Sequence, residues 1–310
     1  MENTRAKTTR NSLILLLTAT IWGMAFVSQS KGMDYMHPFT FNGVRSLIGA
    51  TGILVYILIS RKIAGDKAAK LDWKLNVKAG LLCGIFLTIA STLQQFGIKY
   101  TSVGKAGFIT TLYIIFVPMF GIFLKKKVAP VVWAAAGMAA VGMYLLCMTE
   151  SLRLGAGDIM VFLCAIAFAI QIMTVDHYAA SIDGAVVSCI QFTVCGVVCC
   201  IGALIWGQPT FGQIQEGLGA LLYAGVLSCG VGYTLQIVGQ KGLNPTVAAL
   251  IMSLESVIAT ISGWIAYKIG FLSTDQTLTP RQIAGCVIVF AAVILVQLPP
   301  EWFRFGKKNA

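Results

Sequence analysis

Long runs without a charged residue constrain this chain more than any other feature. Asp, Glu, Lys and Arg are absent from Asn11–Ser30, Ala79–Ile98, Ala106–Leu124, Val128–Thr149, Ile159–Val175, Gly217–Gln240 and Gln282–Pro300. Each run is long enough to cross about 30 Å of hydrocarbon as a helix. Phe39–Ser60 and Pro245–Tyr267 are apolar runs interrupted by one charge each, Arg45 and Glu255. Gly184–Gln215 is longer than one span and holds a helix with a polar exit at Gly207-Gln208-Pro209. A backbone in lipid must satisfy its own hydrogen bonds, and apolar runs of this length do so as helices. The expected fold class is therefore an all-α integral membrane protein with ten transmembrane helices. A soluble fold is excluded: charged residues are 11% of the chain and hydrophobic ones 57%, against roughly 25% and 45–50% in soluble domains.

Prolines support the boundaries. Seven of the eight fall at span ends, and Pro118 alone sits inside a span, where it is expected to kink the fourth helix. Basic residues in short loops set orientation. With the N-terminus in the cytoplasm, sixteen Lys and Arg fall inside (Arg5, Lys7, Arg10; the six from Arg61 to Lys78; Lys125–Lys127; Lys241; Arg304, Lys307, Lys308). Six fall outside: Lys31, Lys99, Lys105, Arg153, Lys268 and Arg281. Ten spans then put both termini on the cytoplasmic side of the plasma membrane, with residues 1–10 and 299–310 as tails. The net charge of +11 reads as loops held against anionic headgroups, not as a nucleic-acid surface. The first apolar run is too long for a signal peptide and no small-residue cleavage site follows it. The nine cysteines all lie in apolar runs without CxxC spacing, so they read as small hydrophobes rather than disulfide partners or metal ligands.

The chain repeats itself at an offset of 142 residues. Leu93/Leu235, Gln94/Gln236, Gly97/Gly239, Lys99/Lys241, Ala106/Ala248, Ile109/Ile251, Leu112/Leu254 and Gly121/Gly263 coincide without gaps. The same offset pairs Ala25-Phe26 with Ala167-Phe168, Gln29 with Gln171, Asp34 with Asp176 and Ser46 with Ser188. Two halves follow, 11–149 and 155–298, each of five helices. An odd number turns the second copy upside down in the membrane. Inverted repeats of this kind are the architecture of secondary transporters, whose substrate site lies near the midplane between the halves.

Charges at membrane depth are costly and commonly functional. Glu255 lies ten residues into its span, about 15 Å at 1.5 Å per residue, close to the midplane. Its repeat partner is Tyr113. The pair marks where the halves should meet around a substrate, and a carboxylate in so dry a place is a proton-coupling candidate. The alternative is a structural glutamate that locks helices together. Arg45 is placed to receive an anionic group such as a carboxylate, or else to snorkel to the interface or pair with a carbonyl. Asp176 and His177 lie near the end of the sixth helix as gate or loop residues. Amides are frequent in the spans, at Gln29, Gln94, Gln95, Gln171, Gln191 and Gln236, and an amide in lipid needs a partner or a wet cavity. Trp22, Tyr113 and Tyr233 are candidate aromatic walls, able to make cation–π contacts; ordinary packing is the alternative for each. The expected substrate site is thus Glu255, Tyr113, Trp22, Gln94, Gln95, Tyr233 and Gln236, with Arg45, Gln29, Gln171 and Asp176 as secondary candidates. Gly80 to Gly84 is a GxxxG read as a close helix contact.

No nucleophile, zinc or phosphate-loop motif is present, and no loop is long enough for a nucleotide domain, so no cofactor is expected. Transport driven by a gradient is the function class left. A carrier of organic cations, with Glu255 as counter-charge, is the rival within that class; a membrane structural or assembly protein is the rival outside it. Ten helices already contain both halves of a carrier, so monomer and homodimer are equally compatible.

Two segments carry a family resemblance. Ala19-Thr20-Ile21-Trp22-Gly23-Met24-Ala25-Phe26, followed by His37-Pro38-Phe39 and Arg45, resembles the opening of EamA-type members of the drug/metabolite transporter superfamily. Ser253-Leu254-Glu255-Ser256, with Gly285 in the tenth helix, resembles the close of the second EamA repeat. The resemblance covers Asn11 to Leu298 and implies a ten-helix inverted-repeat fold that exports or exchanges amino acids and related metabolites. The family commonly carries a Gly-Glu pair at the ends of the fourth and ninth helices. Here those places read Lys125-Lys126 and Tyr267-Lys268, so no role of those glutamates is carried over and Glu255 is the midplane acid.

Overall fold

The computed structural model describes residues 2–65, 71–124, 129–147, 155–273 and 276–297. The charges expected at Lys67, Lys70, Lys125–Lys127, Arg153 and in the tail 299–310 lie outside them, as do the helix ends expected at Thr149 and Pro300. Among the described residues the chain is helical without strands. Eight helices are long and apolar enough to cross a membrane. They are α1 (Glu2–Gly32), α2 (Pro38–Ala64), α3 (Trp73–Ile98), α4 (Val103–Phe123), α6 (Ala156–Tyr178), α7 (Gly184–Gly207), α8 (Leu218–Gln240) and α9 (Pro245–Lys268). Two more apolar helices, α5 (Pro130–Cys147) and α10 (Pro280–Gln297), are shorter over their described parts. The chain is a multi-pass membrane protein.

Local chemistry sets the helix ends. Asp72, Ser102, Asp183 and Asn244 cap α3, α4, α7 and α9 by accepting from Leu75 N, Lys105 N, Ala185 N and Thr246 N, which satisfies amides that have no partner within the helix. Pro38, Pro130, Pro245 and Pro280 each open a helix, where a missing N–H costs nothing. α7 stops at Gly207, and Gln208 turns left-handed with φ 42°, as the polar exit predicted. α3 starts at Trp73, six residues ahead of the charge-free run, because Asp72 caps it there.

The break in α4 falls at Leu112 and not at Pro118. α9 breaks at Ser253, without a proline. Both breaks carry the same device. Thr111 Oγ1 donates to Phe108 O at 2.9 Å, and Ser253 Oγ donates to Leu250 O at 2.7 Å. A hydroxyl bonded back into the preceding turn competes with the helix ladder and bends it. Residues 111 and 253, like 108 and 250, are 142 apart.

The helices pack in a pattern with internal order. α2 lies along α7, and α5 along α10. α3 packs on α6 and α7 as α8 packs on α1 and α2; α1 packs on α9 as α6 packs on α4. Replacing every helix by the one five places on leaves that set of neighbours unchanged. Small residues allow the approach. A Cβ on Gly97 would overlap Val161 and come within 2.8 Å of Gly157 O, and one on Gly239 would lie 2.8 Å from Leu15. Leu15 and Gly157 are again 142 apart. Gly80 and Gly84 sit against Ile190 and Val194 of α7, as the GxxxG predicted.

Candidate functional site

The break at Leu112 lies one residue ahead of Tyr113, and the break at Ser253 two residues ahead of Glu255. Tyr113 and Glu255 both point to the centre of the bundle, and Tyr113 Oη donates to Glu255 Oε1 at 3.0 Å. Both are buried, at 2% and 4% exposure. Two residues 142 apart in the sequence therefore touch each other.

Around this bond lies a small cavity. It is lined by Trp22, Phe26 and Gln29 of α1, Arg45 of α2, Gln94 of α3, Thr110 and Tyr113 of α4, Phe168, Gln171 and Ile172 of α6, Ser228, Tyr233 and Gln236 of α8, and Glu255 of α9. Its volume is about 30 Å³, room for one or two water molecules and too little for an organic solute. Trp22 and Tyr233 form one wall, with ring centroids 4.5 Å apart. Gln171 and Gln236 clasp each other through Gln236 Nε2 to Gln171 Oε1 at 3.2 Å and Gln171 Nε2 to Gln236 Oε1 at 3.5 Å. Gln171 also donates to Gln191 Oε1 at 3.4 Å. Gln94 donates to Thr110 Oγ1 at 3.2 Å. Trp22 Nε1, Gln29 Oε1 and Arg45 Nε are buried without a partner.

Six of the seven expected site residues line the cavity, as do Arg45, Gln29 and Gln171. Gln95 does not. Its Nε2 donates to Gln29 O at 3.1 Å, because one residue along a helix turns the side chain by about 100° and points it at α1. Asp176 also lies off the cavity, near the end of α6; it sits about one turn beyond Ile172, the last residue of that helix to line it. His177 beside it is exposed. Phe26, Thr110, Phe168, Ile172 and Ser228 line the cavity without having been singled out. Phe26 and Phe168 carried a signal, since they are one of the repeat identities. Ser228 carried none. It lies in a ten-residue π-helical stretch of α8, Tyr223–Gly232, whose wider turns shift the facing of every later side chain. That stretch lies tight on α2: a Cβ on Gly225 would come within 2.9 Å of Arg45 O.

One end of the bundle is tied by a charge. Asp158 of α6 accepts from Lys105 Nζ at 2.6 Å and from Thr101 Oγ1 at 2.9 Å. This joins the start of α6 to the start of α4. The eight described cysteine side chains are free thiols.

The sequence profile of the EamA-like transporter family matches residues 10–148 and 155–298. A protein of Archaeoglobus fulgidus named "Uncharacterized transporter" is 28% identical over 290 residues, covering 92% of this chain and 84% of that one. "Uncharacterized transporter YwfM" of Bacillus subtilis is 24% identical over 295 residues, covering 94% of each. An "Uncharacterized transporter" of Clostridium kluyveri is 22% identical, covering 91% of each. A crystal structure at 15% identity superimposes with a TM-score of 0.73, covering 96% of this chain and 99% of the other, and so shares its fold. A profile that spans both halves, with relatives matched end to end, decides the assignment: this chain belongs to the EamA-like transporter family.

Proposed function

We propose that this chain is a secondary transporter that moves a small polar metabolite, an amino acid or a related compound, across the plasma membrane by alternating access. In this reading α1 to α10 all span the bilayer, as two inverted five-helix repeats over 11–149 and 155–298, with both termini cytoplasmic. The observation that carries it is the central cavity, built from both halves around the bond between Tyr113 and Glu255. Two related bundles that meet at a site can rock about it and open it to either side in turn. The exchange pattern of helix neighbours and the 142-residue offset support the two repeats. The excess of Lys and Arg on one set of loops supports the orientation. A volume near 30 Å³ belongs to a closed state, from which either access state is reached by moving the halves apart.

Glu255 is the acid of the cavity and the candidate for coupling to protons, with Tyr113, Tyr233 and Arg45 as the other ionisable groups that line it. The test is reconstitution into proteoliposomes with an imposed pH gradient. Wild-type flux is expected to follow the gradient, and Glu255→Gln to retain exchange while losing that dependence. Unchanged gradient dependence in Glu255→Gln removes the residue from the coupling role.

A further inference from the structure

Arg45 is the basic residue of the cavity, and it is an anomaly. Its side chain is 5% exposed, and its Nε has no hydrogen-bond partner. The guanidinium lies 5.4 Å from the ring centroid of Phe41, a contact that holds it in place without neutralising it. Among the described residues the ion pairs are Lys31–Asp34 and Lys105–Asp158. Arg45 and Glu255 therefore face one small cavity without closing on each other, and Glu255 bonds to Tyr113 instead. A buried cation with no counter-ion is costly. Such a cost is recovered when a ligand supplies the missing charge, and a guanidinium fits a carboxylate with two parallel hydrogen bonds.

The snorkelling alternative fails on burial, since Arg45 does not reach the surface. The repeat places Val187 opposite Arg45, so the second half has no copy of this charge and the docking point is one-sided. The close seam with α8, where Gly225 meets Arg45 O and Gly49 meets Gly225 O, fixes the backbone from which the side chain reaches. Trp22 Nε1 and Gln29 Oε1 add one unpartnered donor and one unpartnered acceptor to the same space.

We infer that Arg45 is the specificity-determining residue of the site: it docks the substrate's carboxylate while Glu255 faces its ammonium group. The solute is then a zwitterion with separated charges. A simple organic cation is disfavoured, because it would enter the field of Arg45 with nothing to offer it. This rests on the transporter reading above and deepens it.

The experiment uses the full chain in proteoliposomes and a panel of amino acids, each beside its decarboxylated amine and its deaminated acid. Counterflow and ligand-induced change in melting temperature are read for each. At least one amino acid is expected to be moved and to stabilise the protein while its amine does neither. Arg45→Gln is expected to lower the amino-acid-to-amine affinity ratio by about 10- to 100-fold, the worth of a hydrogen bond to a charged group. Arg45→Lys keeps the charge without the fork and is expected to fall between the two; it also serves if Arg45→Gln does not fold. A wild-type protein that moves amines as well as amino acids, or a ratio unchanged in both variants, overturns the Arg45 assignment and leaves the transporter reading standing. A wild-type protein that moves and binds none of the panel overturns both.

Discussion

The two halves bring the same residue types to the cavity and pair them differently. Phe26 and Phe168, Gln29 and Gln171, Gln94 and Gln236 are equivalent and all line it. Yet Gln171 and Gln236 clasp each other, while Gln94 turns to Thr110 and Gln29 Oε1 has no partner. The cause lies in the neighbours. Gln171 is held by Gln191, whose counterpart in the first half is Gly49; Gln94 is held by Thr110, whose counterpart is Met252. Positions 142 apart thus bring matching side chains to the centre, and the positions that differ between the halves dictate whom they bond. At the centre itself the two positions hold Tyr113 and Glu255, and there the difference makes the bond.

The sharpest way to break this comparison is to exchange the central pair. Tyr113→Glu alone sets two carboxylates at hydrogen-bonding distance in a buried place, and is expected to cost about 3 kcal/mol or more. Glu255→Tyr alone removes the acid and is expected to abolish gradient-driven transport. The double variant Tyr113→Glu, Glu255→Tyr restores one phenol and one carboxylate across the same contact. It should recover most of the lost stability, read as a coupling energy from melting or denaturant midpoints in detergent. A double variant as unstable as the sum of the singles would show that the two positions are not interchangeable.

The amides should respond unequally. Gln171→Leu strands Gln191 and Gln236 and is expected to lower stability by about 1–3 kcal/mol, the cost of leaving buried polar groups unmade. Gln29→Leu removes an oxygen that already lacks a partner, so its melting temperature should stay close to wild type. Equal losses in the two variants would mean that the clasp contributes nothing.

The smallest contrast concerns packing. Gly97→Ala drives a methyl into branched Val161 and toward the rigid carbonyl of Gly157, whereas Gly239→Ala meets the movable end of Leu15. Overpacking costs typically 1–3 kcal/mol. Gly97→Ala is expected at about the upper end of that range and Gly239→Ala at about the lower. The reverse order in thermal melts would contradict the packing described for α3 and α8.

Much of the fold was legible, and the exceptions have physical causes. Apolar runs located the ten long helices among the described residues, because the energy of placing a residue in hydrocarbon is a property of that residue and adds along the chain. α3 begins ahead of its charge-free run because Asp72 caps it there. The helix break in α4 falls at Leu112, ahead of Pro118, and the back-bonded hydroxyls of Thr111 and Ser253 beside the two breaks stand out only when the halves are compared. Of the adjacent amides Gln94 and Gln95, the repeat already held the answer. Gln94 has a matching Gln236 and lines the cavity, while Gln95 is matched by Ile237 and faces away.

The sequence by itself determined that the solvent is hydrocarbon, that the elements are helices, that identities recur at an offset of 142 residues, and that one acid, Glu255, lies deep within an apolar run. Those are one-dimensional properties: composition, period and offset. Only the tertiary structure decided that Tyr113 bonds Glu255, that Arg45 lines the same cavity without pairing with that acid, and that the cavity has a volume of only about 30 Å³. Partner choice depends on how far each helix is turned about its own axis and on which neighbour is small enough to let it approach. The breaks at Leu112 and Ser253 and the wide turns of α8 set that rotation, and they are properties of the packed bundle.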